Sequence, residues 1–285
     1  MNKIIIPESF STYILSTSWA IDLDYGFSYM AKVLYNQSVG FVPKQSAPFT
    51  IISGDGLIEA SDLSSASSGD MVRLRYSGAM MTDDQACGQR GVQSLADNLY
   101  SAYNAKGVSG VLLELHSGGG EGLSAEILDE AIGDRNKPVV VRTHVLGSAA
   151  VKGTVKADEI IASNPQARIG SIGAFFSLNK EFVNWYKENI EDIYSELAPD
   201  KNSEFRQYFA GDKAPIQKLI NSYDSDFKAH VQAHRNLKGS QKQINETLAG
   251  GMFKSEDAKQ RGLIDGVGGL NYAIRRLNSH IKNRK

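Results

Sequence analysis

Three short glycine-centred stretches each follow an apolar run, and each places groups able to do chemistry. His116-Ser117-Gly118-Gly119-Gly120 comes straight after Leu115. Three glycines let the backbone adopt positive φ and bring its N–H groups against a ligand without a Cβ in the way. A helix that starts nearby adds positive potential. Such a turn suits an oxyanion or a phosphate, and it serves equally as a flexible strand-to-helix connection. Leu146-Gly147-Ser148-Ala149-Ala150 gives a hydroxyl little steric cover, so Ser148 reads as an exposed nucleophile or as a helix N-cap. Ile169-Gly170-Ser171-Ile172-Gly173 is a small-residue turn at which two backbone segments can approach closely. The spacing is not GxGxxG with a downstream ribose acid, which argues against a dinucleotide site.

A serine nucleophile needs a base. Of the five histidines, His116 adjoins the glycine turn, whereas His230 and His234 stand four apart on one helix face with Val231-Gln232-Ala233 between them. That pair lacks the glutamate of an HExxH metal motif, and no metal or cofactor is expected. A lysine works differently: burial disfavours its ammonium form, and the neutral amine can take a serine proton. Residue types alone leave both bases open.

Composition bounds the function. The chain has 285 residues, and 31 Lys+Arg against 32 Asp+Glu give a net charge of -1. That balance argues against a basic nucleic-acid footprint. A hydrophobic content of 41% is too high for a disordered chain. The single Cys87 excludes an intrachain disulfide framework and a multi-cysteine zinc site. No apolar run reaches the ~18 residues of a membrane span. The start, Met1 to Pro7, has too short an apolar stretch for a secretory signal. The expectation is a soluble, cytoplasmic protein with no membrane anchor.

The elements that must position these residues alternate. The Tyr25–Tyr35 stretch carries Phe27, Met30, Val33 and Leu34 at helical spacing. The Ser-rich tract 61–70 reads as a linker between an N-terminal arm, 1–60, and a main domain, 71–285. Within that domain, 71–76 alternates as a half-buried strand, and 83–106 is helical, with Val92, Leu95, Leu99 and Tyr103 on one stripe. Residues 110–115 form a buried strand, 124–132 a helix, and 138–145 and 159–162 further strands. The end from about 203 is mostly helical. Buried strands alternating with helices predict an α/β domain with largely parallel sheets.

Taken in order, the three turns resemble the S49 peptidases, the signal-peptide-peptidase family, over roughly residues 71 to 275. His116-Ser117-Gly118-Gly119-Gly120 is similar to that family's Asn-Ser-Pro-Gly-Gly turn, with His for Asn and Gly118 for Pro. Gly147-Ser148-Ala149-Ala150, Ala157-Asp158-Glu159-Ile160-Ile161-Ala162 and Gly170-Ser171-Ile172-Gly173 follow its nucleophile, strand and GSIG order. Gly250-Gly251-Met252-Phe253 with Gly262-Leu263-Ile264-Asp265 resembles its C-terminal signature.

The resemblance implies a ClpP/crotonase-like fold of repeated ββα units and a Ser–Lys dyad. By position, Ser148 matches the nucleophile and Lys201 the base a little over fifty residues on. Ser171 matches the serine that hydrogen-bonds the lysine. Gly119 and Ala149 N–H groups would form the oxyanion hole, with Gly118, Gly120 and Gly147 lining the substrate. Lys152 is a rival base. The partner implied is a polypeptide, and members usually close into homo-oligomeric rings. Ser18-Trp19-Ala20-Ile21 with the following helix is similar to the start of phage capsid-associated S49 proteases, which cut scaffold and capsid precursors during head maturation. A phage protein would act in the host cytoplasm or the procapsid. The alternatives are a soluble signal-peptide-peptidase-like protease degrading peptides, an inert assembly protein on the same fold, or an acyl-CoA hydratase or isomerase using Glu121.

Overall fold

Strands that are apolar on successive residues have no solvent face, so both sides of their sheet must be covered. Val108–His116 and Val139–Thr143 have that character, and helices with apolar stripes are available to cover them. The computed structural model describes residues 19–22, 25, 35, 39, 46–85 and 90–284. Its strands begin with β1 (Trp19–Ile21), β2 (Phe49–Ser53), β3 (Gly56–Ala60), β4 (Asp70–Ser77), β5 (Val108–His116) and β6 (Gly119–Glu121). They continue with β7 (Val139–Thr143), β8 (Val145–Gly147), β9 (Glu159–Ala162), β10 (Arg168–Gly170), β11 (Met252–Lys254) and β12 (Gly266–Val267). The described helices begin with α1 (Val92–Asn104), α2 (Gly122–Gly133), α3 (Ala149–Lys152), α4 (Lys180–Asn189) and α5 (Ser203–Phe209). The rest are α6 (Ala214–His234), α7 (Gln241–Thr247), α8 (Ser255–Gln260) and α9 (Leu270–Asn283).

The main sheet has the order β12-β9-β7-β5-β4-β2-β3. It is parallel from β4 through β12, and β2 and β3 are added antiparallel. One face, with Val111, Leu113, Leu115 and Val141, packs on Leu95 and Leu99 of α1 and on Leu128 and Ile132 of α2. The other, with Leu112, Val140 and Ile161, packs on Ala273 and Leu277 of α9, flanked by Leu270, Ile274 and Ile281. That stripe on α9 recurs at three- and four-residue steps, as a helix covering a sheet requires. Alternation along β5 therefore divides one apolar run between two cores.

The α/β class and the mostly parallel sheet are those expected. Residues 49–60 are different: they form β2 and β3 of the main sheet, so the Ser-rich tract joins an edge strand to β4 within one sheet. Thr50, Ile51 and Ile52 pair directly with Arg73, Val72 and Met71, and the first two are buried as deeply as strands inside the domain. The strand expected over 138–145 divides at His144 into β7, in the main sheet, and β8, in a second sheet of order β11-β10-β8. The helix expected at Tyr25–Tyr35 lies outside the described residues apart from its two end positions, and so does Cys87.

Candidate active site

The small sheet and the tip of β5 bring the three glycine turns together. Ser117 N–H donates to Val145 O at 2.9 Å, and Gly147 N–H donates back to Ser117 O at 2.9 Å. Ser148 N–H then donates to Gly170 O at 2.9 Å, and Ser171 N–H to Gly251 O at 2.8 Å. A Cβ on Gly147 would lie 2.9 Å from Gly118 O, and one on Gly120 only 2.0 Å from Met80 O. Side chains at these two positions would push the turns apart, which is why the sequence carries glycine there.

This packing fixes Ser148 at φ 52° and ψ -117°, a conformation L-residues rarely adopt. It is 1% exposed and stands immediately before α3. Its hydroxyl does not cap that helix. Instead Oγ donates to Gly173 O at 3.2 Å. A serine at positive φ on a strand-to-helix junction is held in a strained conformation of the kind that proteins keep at functional sites. Ala149 opens α3, so its N–H has no partner within the helix. Gly119, at φ 105°, donates its N–H to Ser117 Oγ at 3.1 Å. An oxyanion bound there would take over from the Ser117 hydroxyl.

Ser148, Ala149, Gly147, Gly118, Gly119, Gly120 and Ser171 therefore belong to one junction. Ser171 also has positive φ, 53°. Lys201 lies on an exposed turn between α4 and α5, where its backbone N–H donates to Ala198 O at 3.2 Å. The rival bases Lys152 and His116, and the charged groups near them, are engaged elsewhere. Lys152 is ion-paired with Glu126, and Lys156 with Asp129 at 2.7 Å. The His116 ring stacks on His144 with centroids 3.7 Å apart, and its Nδ1 accepts from His144 N–H at 3.2 Å. Burial first, then the neighbouring His144 and Arg142, lower the His116 pKa to about 4. His230 Nε2 lies 2.8 Å from Asp129 Oδ1. Glu121 is buried, and its Oε2 accepts from Thr82 N–H and Oγ1, each at 2.6 Å. Burial raises its pKa against those bonds. Among the described residues no group of three or more His, Cys, Asp or Glu is placed to hold a metal ion, and no helix is long and apolar enough to cross a membrane.

Sequence reasoning missed Tyr25 and Asp22. Tyr25 OH donates to His116 O at 3.1 Å, and Asp22 N–H donates to Gly118 O at 2.7 Å, so the N-terminal segment rests on the glycine turn. Their signal was the aromatic character of that segment, which had no visible partner in the linear string.

Residues 131–284 match peptidase family S49, and the chain belongs to that family. It is 35% identical over 178 residues to the protein MJ0651 of Methanocaldococcus jannaschii, covering 60% of this chain and 55% of that one. It is 27% identical over 207 residues to Protease 4 of Haemophilus influenzae, covering 68% of this chain and 32% of that one. To the chloroplastic serine protease SPPA of Arabidopsis thaliana it is 26% identical over 190 residues, 64% of this chain and 27% of that one. The chain thus spans about half the length of the first relative and about a third or less of the others. Among solved structures, a ClpP1 variant from Listeria monocytogenes is 12% identical with a TM-score of 0.44, covering 71% of this chain and 94% of that one. An enoyl-CoA hydratase from Shewanella pealeana is 12% identical with a TM-score of 0.45, covering 76% and 72%.

Two expectations follow. Replacing Ser148 by Gly removes the backbone strain and loses one hydrogen bond, so the Gly variant should match or exceed wild-type stability by up to about 1 kcal/mol. Ser148→Ala keeps the strain and should be the less stable of the two in urea unfolding; the reverse order would show that the turn is unstrained. The second concerns pH. The unfolded chain protonates His116 near 6.5, whereas the fold resists until about 4. Its contribution is complete above about pH 6.5 and is lost as pH falls toward 4. Urea midpoints measured from pH 7 to pH 4.5 should fall more steeply for wild type than for His116→Gln, and equal slopes would contradict the buried-neutral assignment.

Proposed function

We propose that the chain is a serine endopeptidase with a Ser148–Lys201 dyad. The observation that carries this reading is Ser148 itself, held at positive φ against the glycine turn in a member of a peptidase family. Neutral Lys201 takes the Ser148 proton, and Oγ attacks a peptide carbonyl. Gly119 and Ala149 N–H groups hold the oxyanion, each worth about 10²–10³ in rate. Lys201 then protonates the leaving amine, and water hydrolyses the acyl-enzyme. Ser171 orients the lysine amine, and the Gly118, Gly120 and Gly147 turns line the substrate. No metal or cofactor enters this scheme.

The pairing of Lys152 and Lys156 with acidic neighbours favours Lys201 over both. Glu121, turned to Thr82, gives the hydratase reading little support. Lys201 has to reach a buried serine, and its own segment offers the means. Ile193 is 92% and Leu197 96% exposed just before it. Apolar side chains this open call for a cover, and we assign that cover to a second copy in a homo-oligomeric ring. The substrate proposed is polypeptide, specifically scaffold and capsid precursors of a phage head. The Ser18-Trp19-Ala20-Ile21 resemblance supports that choice over general peptide degradation or an inert assembly role.

Digestion of an unfolded model protein, read by mass spectrometry, tests the dyad. Wild type should cut, Ser148→Ala should be inactive, and Lys201→Ala should lose at least about 10³-fold. A lysine acts as a base only when neutral, so wild-type activity should rise from neutral to alkaline pH. Cutting that survives in Lys201→Ala, or a flat profile, would remove the lysine. Separately, Ile193→Asp with Leu197→Asp should lower the assembly mass in light scattering together with activity. An unchanged mass would show that these side chains are not covered by a second copy.

A further inference from the structure

The described part of the N-terminal segment lies along the glycine turn. β1 runs antiparallel to β6, with Trp19 opposite Glu121, Ala20 opposite Gly120 and Ile21 opposite Gly119. The Asp22 N–H bond to Gly118 O continues that ladder. Antiparallel pairs alternate between bonded and non-bonded, so two residues back Ala20 and Gly120 form the next bonded pair. Tyr25 pins the end of the segment: its hydroxyl donates to His116 O, and its ring covers Gly118 so closely that a Cβ there would lie 2.6 Å from it. The Ile21 side chain packs with Phe175 against buried Ala79 and Met81. Phe175 lies two residues past Gly173, the carbonyl that accepts the Ser148 hydroxyl. β1 is therefore held by residues 118–121 and packs with Phe175, and the segments that carry these residues also approach Ser148, through the Gly118 contact with Gly147 and the Gly173 carbonyl.

An extended peptide is commonly presented to a nucleophile by adding a strand to an open sheet edge. The other edge of β6 is taken by Met80, whose N–H donates to Gly119 O and whose carbonyl accepts from Glu121 N–H, both at 2.8 Å. A substrate strand on β6 would need the edge that β1 holds. β1 is three residues long and its described ladder partner is β6, so few main-chain bonds need to break for it to leave.

On the reading of Ser148 as nucleophile, we infer that Trp19–Ile21 occupies the substrate position as the chain's own strand. A peptide pairs with β6 only after β1 leaves. The pocket of Ala79, Met81 and Phe175 that holds Ile21 then takes an aliphatic side chain of the substrate, opposite Gly119.

The test uses the full chain and two independent releasing variants. Ala20→Pro removes the ladder N–H, and Tyr25→Phe removes the bond to His116 O. The probe is a fluorescent synthetic peptide of residues 17–23, and binding is measured by anisotropy in a Ser148→Ala background so that no hydrolysis is needed. Expected are faster amide exchange at Gly120 in at least one variant and at least tenfold tighter probe binding in that variant. A probe with Asp in place of the isoleucine should lose that gain. Faster exchange with unchanged or weaker binding would show β1 to be a permanent part of the site, and unchanged exchange in both variants would show that these contacts do not hold it. Either result overturns the inference. Tighter binding, with no cleavage of protein by the same releasing variants carrying Ser148, would instead sink the nucleophile and leave the strand assignment standing.

Discussion

Contact between main chains, without side chains between them, is the constraint from which the rest of the site follows. The tip of β5, the short β8 and the short β10 meet through reciprocal bonds at Ser117, Val145, Gly147 and Gly170. Glycine at 147 lets β8 lie against the Gly118 carbonyl, while glycine at 120 admits the Met80 carbonyl and glycine at 118 the Tyr25 ring. With β8 held from both sides, the chain has to turn sharply to enter α3, and the residue at that corner is Ser148. Its positive φ is the cost of the junction, and a buried hydroxyl aimed across it is the result.

The large parallel sheet supplies the rigidity that this corner requires. β5 and β7 are covered on both faces, by α1 and α2 on one side and α9 on the other. Their carboxyl ends emerge together where the small sheet begins, the position at which open parallel sheets generally build sites. Charged groups reinforce the frame away from the chemistry. Glu159, buried under α9, accepts Arg276 Nε at 2.9 Å and lies 2.9 Å from His280 Nε2. Asp158 accepts Arg135 Nε at 2.9 Å. Burial alone would raise the Asp158 pKa, but the bonds from Arg135 and the Val139 N–H carry it below the usual carboxylate value.

Much of this was legible in the residues. The apolar runs at 110–115 and 159–162 and the stripe on α1 announced buried strands and a covering helix, because local pattern and burial agree there. The three glycine turns were visible as turns, but whether Ser148 caps a helix or faces a ligand depends on Gly170 and Gly173, which only the fold brings near. The division at His144 was hidden because both halves of 138–147 are apolar, and the change of sheet is decided by β10. The domain boundary at 61–70 followed composition, whereas β2 and β3 follow register with β4. The role of Asp22 and Tyr25 was legible only as an aromatic segment without a partner, because a contact across some ninety residues leaves no local pattern.

The most direct test of the central claim is covalent. The protein is treated with a serine-directed fluorophosphonate and the adduct is mapped by mass spectrometry. A single phosphonylated residue, Ser148, is expected. An adduct at Ser117 or Ser171 instead, or an unmodified chain under conditions in which it cuts protein, would contradict it.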